Sequence, residues 1–158
     1  MRSLLILVFT TLLFAEAYDF DENKFVFAIG NTFHKVGRID YSKEKATITY
    51  SHPKYKQIVK VDNNISIEGS SGKRYYLKGK ALSHTKAFID IMIRLGEYRE
   101  IKNNKDFDVK KEGERYLLTF KGEMKQMLPK AEVRTEGKKV KSFKLFMNNG
   151  DTLEIVKR

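Results

Sequence analysis

Few side chains in this sequence have the types and spacings that catalysis or metal binding requires. The three histidines, His34, His52 and His84, stand singly near predicted loops or strand ends, and no pair has metal-ligand spacing. The absence of cysteine excludes thiolate metal sites, disulfides and lipid attachment to a thiol. No serine lies in a nucleophile elbow, and there is no glycine-rich phosphate loop or convergent carboxylate pair. We therefore expect no catalytic residue, no metal site and no cofactor.

The chemistry that the sequence does offer is that of an apolar surface. Phe, Tyr, Ile and Met alternate with polar residues, which is typical of barrel interiors that hold a small ligand. Four methionines would make such a cavity adaptable: Met92, Met124, Met127 and Met147. An ordinary packed core would have the same composition, so the alternation alone leaves both interpretations open.

The elements that must position this surface are mostly strands, because apolar and polar residues alternate along most of the chain. Turns are predicted at residues 62–64, 69–72, 110–114 and 148–151. Roughly eight to eleven strands joined by short turns predict a mostly β fold, a curved antiparallel sheet that forms a half-open barrel with a short helical lid. The residues predicted to face inward on the strands are Phe25, Phe27, Ile48, Tyr50, Val59, Val61, Tyr116, Leu118, Phe120, Phe143 and Leu145.

One segment interrupts the β pattern and predicts a helix over residues 86–95, which Gly96 ends. Lys86, Asp90 and Arg94 are spaced by four and form one thin charged stripe, while the rest of the circumference is apolar. A helix of this kind must be covered on two sides. The second cover is either another part of the protein or a ligand that fills a cavity. We expect the helix to act as a lid or plug.

The N-terminus has the pattern of a cleavable signal peptide. Arg2 supplies a positive charge, residues 4–14 form an apolar run, and residues 15–17 (AEA) fit the small-x-small cleavage rule. The run is too short to anchor the chain in a bilayer, and a buried N-terminal strand or helix is the alternative. The pattern predicts a signal peptide at residues 1–17, a single domain at 18–158, and export to the periplasm.

The sequence is strongly basic, with a net charge of +11. Such an excess favours acidic partners or an anionic membrane, because an exported protein rarely meets nucleic acid. The lysines are scattered along the chain, which fits a solvated surface equally well. We expect no nucleic-acid partner.

Several short motifs follow one another in a distinctive order. They are GRIDY at 37–41, TYSHP at 49–53, QIVKVD at 57–62, YY at 75–76, TKAFIDIM at 85–92, FDV at 107–109 and YLLTFK at 116–121. This order resembles that of the periplasmic outer-membrane lipoprotein carriers, the LolA-type family. The resemblance covers about residues 25–158 and includes no catalytic signature.

The resemblance implies a half-open sheet with a helical lid over an apolar cavity, and a carrier that is not an enzyme and uses no cofactor. Its cargo would be the acyl chains of lipoproteins or another envelope lipid, moved to the outer membrane. Its partners would be acylated lipoproteins or lipids, an inner-membrane releasing transporter and an outer-membrane acceptor, and the protein would act as a monomer. The residues expected to contact the lipid are Phe25, Phe27, Ile48, Tyr50, Val59, Val61, Ile65, Ile67, Tyr76, Leu82, Phe88, Ile91, Met92, Leu95, Tyr116, Leu118, Phe120, Phe143 and Leu145.

Three features differ from the pattern of the family. Residues 18–23 alone precede the first predicted strand, too few for the N-terminal lid helix of the family. Lys43, followed by Glu44, stands nearest to the latching arginine, and lysine lacks the planar fork of that side chain. The sequence has no tryptophan. These features indicate a divergent member, with another lipidic cargo or with a lid reduced to residues 82–95.

Two other functions fit the same sequence. A secreted, non-enzymatic binding protein would have a filled core and a basic surface for anionic envelope partners. A small envelope hydrolase would need a convergent polar cluster in a cleft. An internal apolar cavity distinguishes the carrier from the filled-core binding protein.

Overall fold

The alternating segments of the sequence form strands over most of the chain. The computed structural model describes residues 16–97, 101–103, 105 and 107–158, and the apolar run of the predicted signal peptide lies outside them. The strands are β1 (Glu16–Val26), β2 (Asn31–Tyr41), β3 (Lys45–His52), β4 (Lys56–Val61), β5 (Asn64–Gly69), β6 (Arg74–Tyr76), β7 (Phe107–Glu112), β8 (Arg115–Phe120), β9 (Lys130–Glu136), β10 (Lys139–Phe146) and β11 (Thr152–Lys157). The helices are α1 (Gly79–Gly96) and α2 (Gly122–Met127), with a 3-10 turn at Phe27–Ile29.

All of these strands belong to one antiparallel sheet, in the order β6-β5-β4-β3-β2-β1-β11-β10-β9-β8-β7. Strands that follow one another in the chain are neighbours in the sheet, except that β1 pairs with β11 and thereby joins the two halves. In the described part of the chain β6 and β7 are the edges, so the sheet curves without closing. Helix α1 follows β6 and precedes β7 in the chain, and it contacts β1, β2, β5 and β10. The predicted mostly β, half-open architecture is confirmed.

The core lies between the sheet and α1. From the helix, Ile89, Met92 and Leu95 are buried, and their spacing of three places them on one face. The predicted inward placement is confirmed on β3, β5, β8 and β10. The buried residues there that the alternation predicted are Ile48, Tyr50, Ile65, Ile67, Leu118, Phe120, Phe143 and Leu145.

The prediction for the first strand was wrong in its register. Strand β1 begins at Glu16, and its buried residues are Tyr18, Phe20 and Glu22. Because side chains alternate between the faces of a strand, Phe25 lies on the opposite face and is only half-buried. Phe27 has left the strand for the 3-10 turn and is 65% exposed. Residues 18–23 thus lie within β1 instead of preceding the first strand.

The register predicted for β4 was also wrong by one residue. Ile58 is buried, whereas Val59 is half-buried and Val61 is 45% exposed. Lys60 shares the face of Ile58, and its Nζ lies 3.1 Å from Oδ1 of Asp90 on α1. That ion pair supplies a reason for a lysine to point inward, which hydrophobic alternation alone does not detect.

Tyr76, a predicted lipid contact, is 65% exposed on the short edge strand β6. It pairs with Ser66, whereas Tyr75 pairs with the buried Ile67. Tyr76 therefore lies on the face of the sheet opposite to Ile67. Its contact with lipid stays a prediction.

Helix α1 ends at Gly96 as predicted but begins seven residues earlier than expected, at Gly79. Residues 83–85, which precede the predicted helix, lie inside the observed one. Oγ of Ser83 donates to the carbonyl of Gly79 at 3.4 Å, a bond that a helical serine can form within its own helix. Among the described residues, no helix has the length and apolar character needed to cross a bilayer.

The end of α1 approaches the sheet closely at Gly96. A methyl group at this position would overlap the hydroxyl of Tyr41 and would lie 3.0 Å from Cε1 of Tyr18. The Tyr18 hydroxyl donates to the carbonyl of Met92, one turn before the end of the helix. Glycine is thus required here by close packing, and it fixes the height of the helix above β1 and β2.

A polar cluster lies at the inner face of the sheet, centred on the buried Glu22. Its carboxylate accepts hydrogen bonds from Lys35 Nζ at 2.7 Å and from the Tyr50 hydroxyl at 2.5 Å. Burial, together with Glu22, raises the pKa of Tyr50 well above its ordinary value. Burial, together with the nearby charge of Lys35, lowers the pKa of Lys56. The cluster satisfies a buried charge in an otherwise apolar half of the sheet.

Gly96→Ala should destabilise the protein by about 1–3 kcal/mol, because the added methyl forces the helix away from two buried tyrosines. Gly69→Ala is the matched control, since no atom lies within 4 Å of the position of its Cβ. Urea unfolding followed by circular dichroism gives both free energies. Equal values for the two variants would contradict the close approach at Gly96.

The free energy of unfolding should fall as the pH rises above about 10, the ordinary tyrosine pKa. Burial raises the folded-state pKa of Tyr18 and Tyr50, so their stabilising contribution is complete below that pH and is lost as the pH rises through the folded-state values. Tyr50→Phe should make this loss less steep, whereas Tyr75→Phe, at a side chain 53% exposed, should not. Urea titrations at pH 8, 10 and 11 compare the slopes; an unchanged slope in Tyr50→Phe would contradict the account.

Candidate functional site

A cavity of about 470 Å³ opens between α1 and the half of the sheet that contains β7 to β10. Its volume falls within the range of about 300–1,000 Å³ that is typical of small-molecule sites. Its walls are mostly apolar. The lining residues are Ala87, Asp90, Ile91, Arg94, Leu95, Ile101, Lys102, Asn103, Phe107, Leu118, Phe120, Met124, Val133, Val140 and Phe143.

Helix α1 contacts β1, β2 and β5 on one side and β10 on the other, and the cavity lies beside it on the side of β10. Ile89 and Met92 are both 0% exposed, and Met92 contacts Tyr18 in the half of the sheet that β1 to β5 form, the filled half. Ala87 and Ile91 lie on a neighbouring stripe of the helix and face the cavity. This space is large enough for a ligand. A ligand bound there would supply part of the second cover that the apolar helix requires.

The sheet supplies the wall of the cavity opposite α1. Leu118 and Phe120 on β8 pair with β7 on one side, and the rings of Phe107 and Phe120 meet edge to face with centroids 5.9 Å apart. Val133 on β9 pairs with Phe143 on β10. These side chains offer aliphatic and aromatic surface to the cavity. Such surface binds an alkyl chain through hydrophobic contacts, which do not depend on direction.

The predicted lipid contacts divide between the cavity and the filled core. Of the predicted set, five residues line the cavity: Ile91, Leu95, Leu118, Phe120 and Phe143. Six others are buried in the core without lining it: Ile48, Tyr50, Ile65, Ile67, Met92 and Leu145. Leu82, Phe88 and Tyr116 are half-buried against the core.

Sequence reasoning missed several lining residues. They are Ala87, Asp90, Arg94, Ile101, Lys102, Asn103, Phe107, Val133 and Val140. Met124, one of the four methionines expected to shape a cavity, does line it. Phe107 and Val133 stand in alternating segments, which could have identified them. Ile101 lies in the connection after α1 and has no periodic context that points to the cavity.

The mouth of the cavity carries polar side chains from α1 and from the segment that follows it. Asp90 is engaged by Lys60, whereas Arg94 forms no ion pair with any described residue. Asn103 Oδ1 accepts the backbone N–H of Val109 at 2.6 Å, which ties this segment to β7. The entrance is therefore polar and cationic while the interior is apolar.

A second, smaller cavity of about 290 Å³ adjoins the first. Leu95 and Val140 line both cavities and separate them. The remaining lining residues of the second cavity are mostly basic. They are Gly96, Glu97, Lys139, Lys141, Lys157 and Arg158.

No cluster of three or more His, Asp or Glu side chains that could hold a metal occurs among the described residues. His34 is engaged by Asn23 Oδ1 at 2.9 Å and lies 3.3 Å from Asp21 Oδ1 on the exposed face of β1. What the arrangement can do chemically is bind an apolar chain and hold charge at its mouth.

Comparison with known proteins gives similarity at the level of solved structures only. No protein-family model matches this sequence, and no curated protein sequence matches it. The chain is similar to a LolA superfamily protein from Nitrosomonas europaea (5% identity, 93% of this chain and 85% of that chain, TM-score 0.43). It is also similar to a DUF1329 family protein from Desulfovibrio piger (9% identity, 91% and 83%, TM-score 0.45).

A third similar structure is a domain described as an outer membrane lipoprotein-sorting protein, from Vibrio parahaemolyticus (5% identity, 90% of this chain and 83% of that chain, TM-score 0.41). The superfamily that the sequence resembles is thus also represented among these structures. The low identities mark the chain as divergent from all three, and they assign no role to any of its residues.

The two neighbouring positions Ile91 and Met92 should differ in their effect on stability. Met92→Ala creates a new void in the filled half and should cost about 2–5 kcal/mol. Ile91→Ala enlarges a space that already exists and should cost about 1 kcal/mol or less. Urea unfolding measures both; a loss for Ile91→Ala as large as that for Met92→Ala would mean that Ile91 is packed on all sides and that the cavity is closed.

Proposed function

We propose that this protein is a periplasmic carrier that binds the acyl chains of lipoproteins, or of another envelope lipid, in the cavity beside α1. The observation that carries the proposal is the apolar cavity of about 470 Å³ between α1 and β7 to β10. A filled-core binding protein would have no such space, and a hydrolase would need a polar cluster within it.

The interior of the cavity provides the binding energy. Transfer of an acyl chain from water into an apolar site contributes about 0.8 kcal/mol for each buried methylene group. Leu118, Phe120 and Phe143 are nearly buried even without a ligand, so the site is preformed and little ordering accompanies binding. A chain of moderate length can therefore be held without catalysis or a cofactor.

The helix is the element that would control access. The helix is held by the Tyr18 hydroxyl on the Met92 carbonyl and by the ion pair between Lys60 and Asp90. Ala87 and Ile91 line the cavity, and Ile91 also packs against the core. Entry of a chain thus requires movement of side chains and of the segment at residues 101–103, while the filled half stays in place.

Location and partners complete the proposal. The signal peptide at residues 1–17 would export the chain, and cleavage after Ala17 would remove only two residues of β1. The domain at 18–158 would then receive its cargo from a releasing transporter in the inner membrane and pass it, as a monomer, to an acceptor in the outer membrane. Two similar structures, a LolA superfamily protein and an outer membrane lipoprotein-sorting domain, agree with this assignment.

Ala87→Phe tests the proposal by filling the cavity without burying a charge. The new ring would occupy the space beside Ile91, so binding of a fluorescent fatty acid should weaken by at least about tenfold while the far-ultraviolet circular dichroism stays that of the native sheet. Ala81→Phe, at an exposed position on the same helix, is the matched control and should bind like the unmodified protein.

Native affinity in a folded Ala87→Phe variant would contradict the proposal, because the chain would then be bound elsewhere. Absence of fatty-acid binding in the unmodified protein would also reject it and would favour the filled-core binding protein.

A further inference from the structure

The second cavity differs in chemistry from the first. Four cationic side chains line it, and Glu97 is the one carboxylate among its lining residues. The cations come from the beginning of β10 and the end of β11, which lie together because the two strands are antiparallel neighbours. They are Lys139, Lys141, Lys157 and Arg158.

These cations are unequally neutralised. Arg158 donates to both oxygens of Asp21, at 2.7 and 2.5 Å, and is committed to the sheet. Nζ of Lys157 lies 5.0 Å from the centroid of the Tyr18 ring, and neither Lys157 nor Lys139 forms an ion pair within the described residues. These two lysines therefore leave positive charge available at the cavity.

Lys141 is only weakly held by its own partner. Its Nζ lies 2.5 Å from Oε2 of Glu136, but both side chains are more than half exposed. A pair this exposed contributes little free energy and exchanges readily for another anion. The second cavity thus has the electrostatic character of an anion site.

The two cavities share part of their lining. Leu95 and Val140 form the boundary, and Arg94, next to Leu95 in α1, lines the first cavity with no ion pair of its own among the described residues. An occupant of the apolar cavity that extends past this boundary reaches Lys139 and Lys157. A free inorganic anion would use only one of the two spaces.

We propose that the ligand is an anionic amphiphile, with one acyl chain in the first cavity and a phosphate or carboxylate headgroup held by Lys139 and Lys157 in the second. This inference rests on the proposed function, because it assigns the headgroup of the lipid whose chain the first cavity binds. Charge-assisted hydrogen bonds from lysine to phosphate are stronger than neutral ones.

The experiment compares hexadecyl phosphate with hexadecanol, which have the same chain, as competitors of a fluorescent fatty acid. Hexadecyl phosphate should bind about tenfold more tightly at low salt, and the difference should shrink as sodium chloride is raised. Inorganic phosphate at the same concentrations should displace nothing. Displacement by inorganic phosphate alone would overturn the inference, because the site would then recognise a free anion.

Lys139→Gln and Lys157→Gln locate the headgroup. Each should weaken binding of hexadecyl phosphate about three- to tenfold and leave hexadecanol unchanged. Lys73→Gln, at an exposed turn on the opposite end of the sheet, changes the net charge equally and should have no effect. Thermal unfolding of Lys157→Gln shows whether loss of the contact with Tyr18 has changed the stability of the fold. If that variant is destabilised, Lys139→Gln alone tests the headgroup site.

The outcomes separate the two proposals. Equal affinities for hexadecyl phosphate and hexadecanol, or lysine variants that bind hexadecyl phosphate normally, would overturn the anionic headgroup and leave the acyl carrier intact. Failure of both compounds to bind would overturn the carrier itself.

Discussion

The docking of α1 onto the inner face of a curved, unclosed sheet is the constraint on which the rest of the structure depends. Ile89 and Met92 of the helix are fully buried, and the close approach of Gly96 to Tyr18 and Tyr41 sets the height of the helix. At this height the helix leaves a cavity of about 470 Å³ between itself and β7 to β10. The mostly apolar walls of this cavity are the natural complement of an apolar ligand.

The same constraint explains how charge is distributed. In the filled half, the charge of Glu22 is compensated by Lys35 and Tyr50, so that half is a closed, satisfied core. Near the end of the helix, the second cavity is lined by the beginning of β10 and the end of β11. Two lysines there, Lys139 and Lys157, have no carboxylate partner within the described residues. An apolar chamber next to uncompensated positive charge is the arrangement that an amphiphile would fit.

Most of the fold could be predicted from the sequence because the alternation of apolar and polar residues identifies most of the strands and their buried faces. Ile48, Ile65, Leu118 and Phe143 stand in regular patterns, and they are buried where those patterns place them. Alternation failed where a polar contact decided the register. Lys60 points inward because it forms an ion pair with Asp90 on α1. Glu22 points inward because its carboxylate accepts hydrogen bonds from Tyr50 and Lys35.

The candidate site was harder to predict than the fold. Periodicity identifies which residues leave water, but it does not show which of them pack against each other and which face a void. Met92 and Ile91 have similar character and adjacent positions, yet one lies in the core and the other lines the cavity. That distinction depends on the height and rotation of α1, which tertiary contacts such as that of Gly96 with Tyr41 determine.

The central claim is that an acyl chain occupies the cavity between α1 and β7 to β10. The most direct test is to measure nuclear Overhauser effects between carbon-13-labelled palmitate and the methyl groups of the protein. The account predicts contacts from the palmitate methylenes to Ile91, Leu118 and Val133, with none to Ile48 or Ile65 in the filled half. Contacts confined to the exposed Ile29, or no contacts at all under conditions in which the protein is folded, would contradict it.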